Sequence, residues 1–85
     1  MEEKKDEKDF KELKEELSEL FEARKFLKIK EIITSMNEVD TAELLESIDE
    51  EMAVMIFRLI PKEQAAEVFA YMEHDLQESI ITTIT

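Results

Sequence analysis

Eighty-five residues with no glycine, one proline and no cysteine leave room for one small domain, and little for strands, hairpins or flexible linkers. The 23 acids against 11 bases give a net charge of −12, a field that repels nucleic acid and draws cations or a basic partner surface. Disulfides, thiolate metal sites and cysteine nucleophiles are excluded, and no apolar run approaches the roughly 20 residues that span a bilayer.

Residues 1–8 are a low-complexity run of Glu, Lys and Asp, expected to be disordered and too charged to be a signal peptide. Asp9 then reads as a helix N-cap, with Glu12 at the capping-box position. Phe10, Leu13, Leu17, Leu20 and Phe21 follow at helical spacing, so residues 9–24 are predicted to form an amphipathic helix. Its expected role is to cover the end of the array that follows.

Residues 25–84 divide, without insertion or deletion, into five 12-residue units: KFLKIKEIITSM, NEVDTAELLESI, DEEMAVMIFRLI, PKEQAAEVFAYM and EHDLQESIITTI. The eighth position is Ile32, Leu44, Ile56, Val68, Ile80, and the ninth is Ile33, Leu45, Phe57, Phe69, Ile81. The twelfth is Met36, Ile48, Ile60, Met72, Ile84, and the fifth is small or apolar at Ile29, Ala53 and Ala65. These spacings place the side chains on one face of a helix, and the columns are the expected core.

A continuous helix cannot keep that face. At about 100° per residue, twelve residues turn the stripe by roughly 120° per unit. The chain must break once per unit, and position one supplies the break. Asn37 and Asp49 are good N-caps, Pro61 suits a first helical turn, and Glu50, Glu51, Glu63 and Asp75 complement the positive ends of helix dipoles. Asp40 followed by Glu43 is a competing cap signal, and Ala23-Arg24-Lys25 contains no breaker at all. Helices this short are marginal alone, so each must bury its stripe on neighbours. The prediction for residues 25–85 is an all-α solenoid of short helices, stable only as a stack.

Charge is uneven along the chain. Residues 37–85 carry twelve acids against Arg58 and Lys62. A solvated acidic surface explains this, and so does a surface that lends single carboxylates to a Mg2+ ion, a hard cation that keeps most of its waters and leaves almost no motif. Catalytic equipment is missing. His74 is the one histidine, at a position expected to be exposed; Ser35, Ser47 and Ser79 lack a candidate base, and no glycine-rich loop exists to cradle phosphate. An enzyme is not expected.

The stretch VDTAELLESIDEEMAVMIFRLIPKEQAAEVFAYM, residues 39–72, resembles the cytosolic N-terminal domain of MgtE-type magnesium transporters. The resemblance rests on Asp40, Ala42, Glu43, Leu44 and Leu45, on FRLIP at residues 57–61, and on AAEVF at residues 65–69, and extends more loosely over residues 25–84. It implies a right-handed superhelix, followed in the same full-length chain by CBS domains, a connecting helix and a dimeric transmembrane channel. It further implies regulatory Mg2+ held between this domain and the CBS domains, at the cytoplasmic side of the bacterial inner membrane. The resemblance carries one ligand over, Glu67 of the AAEV segment, beside the reading of Glu67 as an ordinary solvated glutamate. The second unit opens Asn37-Glu38 where the family commonly has a His-Pro-like start, a change that still permits capping. The apolar close of the last unit suggests a piece of a longer protein.

Similar repeats with AAEV-type words occur in switch and chaperone proteins of the bacterial flagellar motor, so a protein-interaction module of that kind is the alternative function. A free-standing scaffold without an ion is the third reading.

Overall fold

A computed structural model gives the backbone of residues 2–84 and the side chains of residues 10–83. Among the described residues there are six helices and no strand: α1 (Glu2–Glu22), α2 (Phe26–Thr34), α3 (Glu38–Glu46), α4 (Glu50–Leu59), α5 (Lys62–Tyr71) and α6 (His74–Ile84). From α2 onward a helix begins every 12 residues, at 26, 38, 50, 62 and 74.

Local chemistry at position one accounts for these starts. Asn37 Oδ1 accepts from the Asp40 amide at 2.8 Å, and Asn37 Nδ2 donates to the Asp40 carboxylate at 3.2 Å. Asp40 is therefore spent inside the first turn of α3, and its competing start does not arise. Asp49 Oδ2 accepts from the amides of Glu51 and Met52 at 3.1 and 3.4 Å, opening α4. Pro61 sits at the N-cap, one residue before α5, and its carbonyl accepts from the Ala65 amide at 2.8 Å. Two helices close on serine: the hydroxyls of Ser35 and Ser47 each donate at 2.8 Å, to the carbonyls of Ile32 and Leu44.

The break without a breaker, between α1 and α2, is made by backbone alone. Arg24 adopts φ 61°, the left-handed region that glycine favours. Lys25 N–H then donates to the Leu20 carbonyl at 2.9 Å and Arg24 N–H to the Phe21 carbonyl at 3.1 Å, the two bonds of a Schellman ending. Phe21 and Phe26 meet edge to face across this corner, with centroids 6.0 Å apart. The ring contact helps hold Arg24 in a conformation its own side chain disfavours.

α1 starts at Glu2 and runs through Asp9, which corrects the expected cap there. Glu and Lys are good helix formers, and residues 2–9 contain neither glycine nor proline to stop the helix. The side chains of the charged stretch 1–8, expected to be disordered, lie outside the described residues. Farther along α1, Leu17 is fully buried and Phe10, Leu13, Leu20 and Phe21 pack around the core. α1 lies against α2.

Beyond that corner the main stacking joins helices two apart in sequence. α2 packs on α4, α3 on α5, and α4 on α6, and α3 also packs on its neighbour α4, more extensively than α4 does on α2 or α6. The eighth column runs through the middle: Leu44, Ile56, Val68 and Ile80 are buried, with Ile32 half-buried. Ile60 and Met72 of the twelfth column are buried, while Ile48 and Met36 are half-buried. The side chain of Ile84 is outside the described residues.

The ninth column loses cover along the chain. Ile33 and Leu45 are buried; Phe57 and Phe69 are half-buried, their rings tilted at 55° with centroids 6.2 Å apart. Ile81 is 54% exposed, which corrects its expected place in the core. Among the described residues no helix stands two further on from α5 or α6 to complete that layer. Residues outside the three columns also enter the core: Ile29, Ala53, Met52, Val54, and Thr41, whose hydroxyl donates to the Asn37 carbonyl at 2.9 Å.

Burial sets the expected cost of truncation. Leu44→Ala and Ile56→Ala are each expected to lower the unfolding free energy by about 2–5 kcal/mol. Ile81→Ala should cost less than about 1 kcal/mol, as exposed positions do. Urea titration followed by helical circular dichroism reads all three, and equal losses would refute this layering. Arg24→Gly is expected to raise stability by about 0.5–1 kcal/mol, because glycine enters the left-handed region without a Cβ penalty. A lowered urea midpoint would show that Arg24 contributes something beyond its backbone conformation.

Candidate functional site

Seven of the twelve acids in residues 37–85 line two clefts. Glu63 and Glu67 are four apart on α5 and so share one side of that helix. Packing of α3 on α5 brings Glu38, in the first turn of α3, to the same place. With Met36, Asn37 and Gln64, these carboxylates line an open cleft of about 340 Å3. Glu67 is exposed, at the flank of buried Val68, and no Lys, Arg or His lines the cleft. Three like charges without a basic neighbour make a locus of negative potential, which the surrounding acidic surface reinforces.

Oxygen donors of this kind suit a hard divalent cation. They do not form a closed cage: among the described residues no three Asp, Glu, His or Cys side chains converge tightly enough to hold an ion. The arrangement can lend one or two carboxylates to a hydrated ion whose remaining ligands are water or a facing surface. The family resemblance points to Glu67 alone; Glu38 joins it only through α3–α5 stacking, across more than two units.

A second cleft, of about 280 Å3, lies at the starts of α4 and α6 and the end of α3. Glu46, Glu50, Glu73 and Asp75 line it, over a floor that includes Leu45, Ile48 and Leu76. One of these acids has a structural task. Glu46 reaches from α3 and accepts a 2.6 Å hydrogen bond from the Glu73 amide, 27 residues away, just where α6 begins. Gln77 of α6 donates from Nε2 to the Phe69 carbonyl at 2.7 Å, tying the same helix to the end of α5. Neither bond was visible in the sequence; a polar residue in the otherwise small or apolar fifth column was the one signal for Gln77.

His74 lies 4.0 Å from Glu78, with both side chains largely exposed, an ordinary surface pair one turn apart. Ser35 and Ser47 are occupied as helix caps. Among the described residues, no helix is long and apolar enough to cross a membrane.

The sequence profile of the MgtE intracellular N domain matches residues 36–85, more than half of the chain. The chain belongs to that family. It is a magnesium-transporter N domain, a transporter-associated unit and not a member of an enzyme family. The match covers the last residue of the α2 turn and all of α3 to α6, including every acid in both clefts, and leaves α1 and α2 outside. It offers no support to the flagellar-motor alternative. No curated relative matches the chain.

Glu46→Ala is expected to lower stability by about 1–2 kcal/mol, since it removes a charge-assisted acceptor. Hydrogen exchange at the Glu73 amide should accelerate at the same time. Unchanged protection at that amide would mean the bond is not maintained in solution.

Proposed function

We propose that this magnesium-transporter N domain is a cytosolic regulatory element that senses intracellular Mg2+ through ions shared with CBS domains of the same full-length chain. The observation that carries this reading is the cleft of Glu38, Glu63 and Glu67, open and free of bases, within the segment that matches the family. A site complete in itself would hold its ion whatever the domain's position. An incomplete one binds best when a second acidic surface closes over it. Mg2+ then favours the closed arrangement by its greater affinity for it, and loss of Mg2+ leaves two like-charged surfaces to separate. Glu67 is the proposed ligand on this side, with Glu63 and Glu38 strengthening the field around it.

The stack itself is proposed to be a right-handed superhelix built on the 12-residue unit. Helix starts every 12 residues, stacking of helices two apart and a longest dimension of 41 Å against a shortest of 21 Å support that shape. In the whole transporter the domain would stand at the cytoplasmic side of the bacterial inner membrane, below a channel formed by a homodimer.

In a chain carrying this domain together with its CBS domains, Mg2+ is expected to protect the junction between them from limited proteolysis. Glu67→Gln should move the protecting concentration upward by about fivefold or more, on the scale of ordinary coupling energies. Protection that ignores Mg2+, or a midpoint unmoved by Glu67→Gln combined with Glu63→Gln, would overturn the reading.

A further inference from the structure

Residues 24–30 hold four bases, Arg24, Lys25, Lys28 and Lys30, and no acid, in a chain whose net charge is −12. All four are exposed. Between them stands Leu27, 80% exposed and the most exposed large apolar side chain among the described residues. Ile29 and Ile33 turn into the core, and at about 100° per residue Leu27 lies nearly opposite Ile29, with Lys30 on one side of it and Glu31 and then Lys28 on the other, so that bases outnumber the one acid around it. The corner after α1 therefore presents a convex knob with an apolar tip and cationic flanks.

The same molecule carries the complementary shape and charge. The cleft at the starts of α4 and α6 is rimmed by Glu46, Glu50, Glu73 and Asp75 and floored in part by Ile48 and Leu76. Its ≈ 280 Å3 is more than one aliphatic side chain needs. The knob does not fill this cleft within one chain, since Leu27 and its lysines are exposed. We propose that the Leu27 knob docks in the acidic cleft of a second copy of the chain, a head-to-tail contact.

Electrostatics favours this occupant over an anionic bilayer. Glu31 beside Leu27 is unfavourable to either anionic surface, but a flat bilayer would also meet the acidic flanks of the molecule. A cleft takes only the knob. Charges farther apart than about 8 Å are largely screened at physiological salt, so the local pairing of bases with acids outweighs repulsion between distant parts of two chains. The contact is small, and its dissociation constant is expected on the order of 0.1–1 mM. It needs no metal ion and stands or falls independently of the magnesium reading.

Sedimentation equilibrium of the 85-residue chain at physiological salt tests it. The average mass is expected to rise with concentration up to about 1 mM. Lys28→Glu with Lys30→Glu should weaken association about tenfold or more, as should Glu50→Lys with Asp75→Lys on the opposite side. Mixing the two charge-reversed chains should restore a one-to-one complex, which a general change in solubility would not do. Leu27→Asp, at an exposed position, should abolish association with helical circular dichroism unchanged; it decides the matter if a charge-reversed chain fails to fold. A chain that stays monomeric, variants that associate as the parent does, or reversed chains that fail to pair would each overturn the proposal. Binding of a monomeric chain to phosphatidylserine vesicles, lost with Leu27→Asp, would overturn it in favour of a bilayer.

Discussion

From α2 to α6 the fold depends on one constraint: a helix of nine to eleven residues must find its stability outside itself. The 12-residue unit allows only a short helix and a turn before the apolar stripe would swing out of line. Each stripe is instead covered by the helix two units along, as α2 is by α4, α3 by α5 and α4 by α6. The buried eighth column, from Leu44 to Ile80, is the axis of this arrangement. The ninth column is less completely buried, from Ile33 and Leu45 in the core to the exposed Ile81.

The constraint also places the charge. With positions eight, nine and twelve committed to burial, acids gather at helix starts and on the flanks, where dipoles and solvent accept them. Stacking then brings acids from different units together, at Glu38 with Glu63 and Glu67, and at Glu46 with Glu50, Glu73 and Asp75. The second group includes a carboxylate engaged in holding α6. Glu63 and Glu67 in the first group are exposed, and under the proposed reading their oxygens are open to an ion.

Much of the architecture was legible because it is written in local rules. Asn37 and Asp49 announce their helices through side-chain oxygens that accept nearby amides, and both do so. Of the fifteen residues in the three columns, fourteen have described side chains, and thirteen of these are buried or half-buried. The exception, Ile81, has the right column and the right chemistry but is 54% exposed, because a periodic pattern does not by itself fix how much of a side chain is covered. The turn at Arg24 escaped the sequence because it rests on φ 61° and two backbone bonds, which any residue can make at a cost. Thr41 escaped because its hydroxyl is satisfied by its own helix, one turn back, and so it is buried like an apolar residue. α1 passed through Asp9 because good helix formers preceded it.

The sequence by itself determined the all-helical class, the 12-residue phase, the breaks from Asn37 onward and most of the face each helix buries. These follow from periodicity and capping, which act over a few neighbouring residues. Only the tertiary structure decided which helices meet, how far burial extends along each column, and which acids share a cleft. Those depend on contacts across more than one unit, such as Glu46 with the Glu73 amide, whose partners no local pattern pairs.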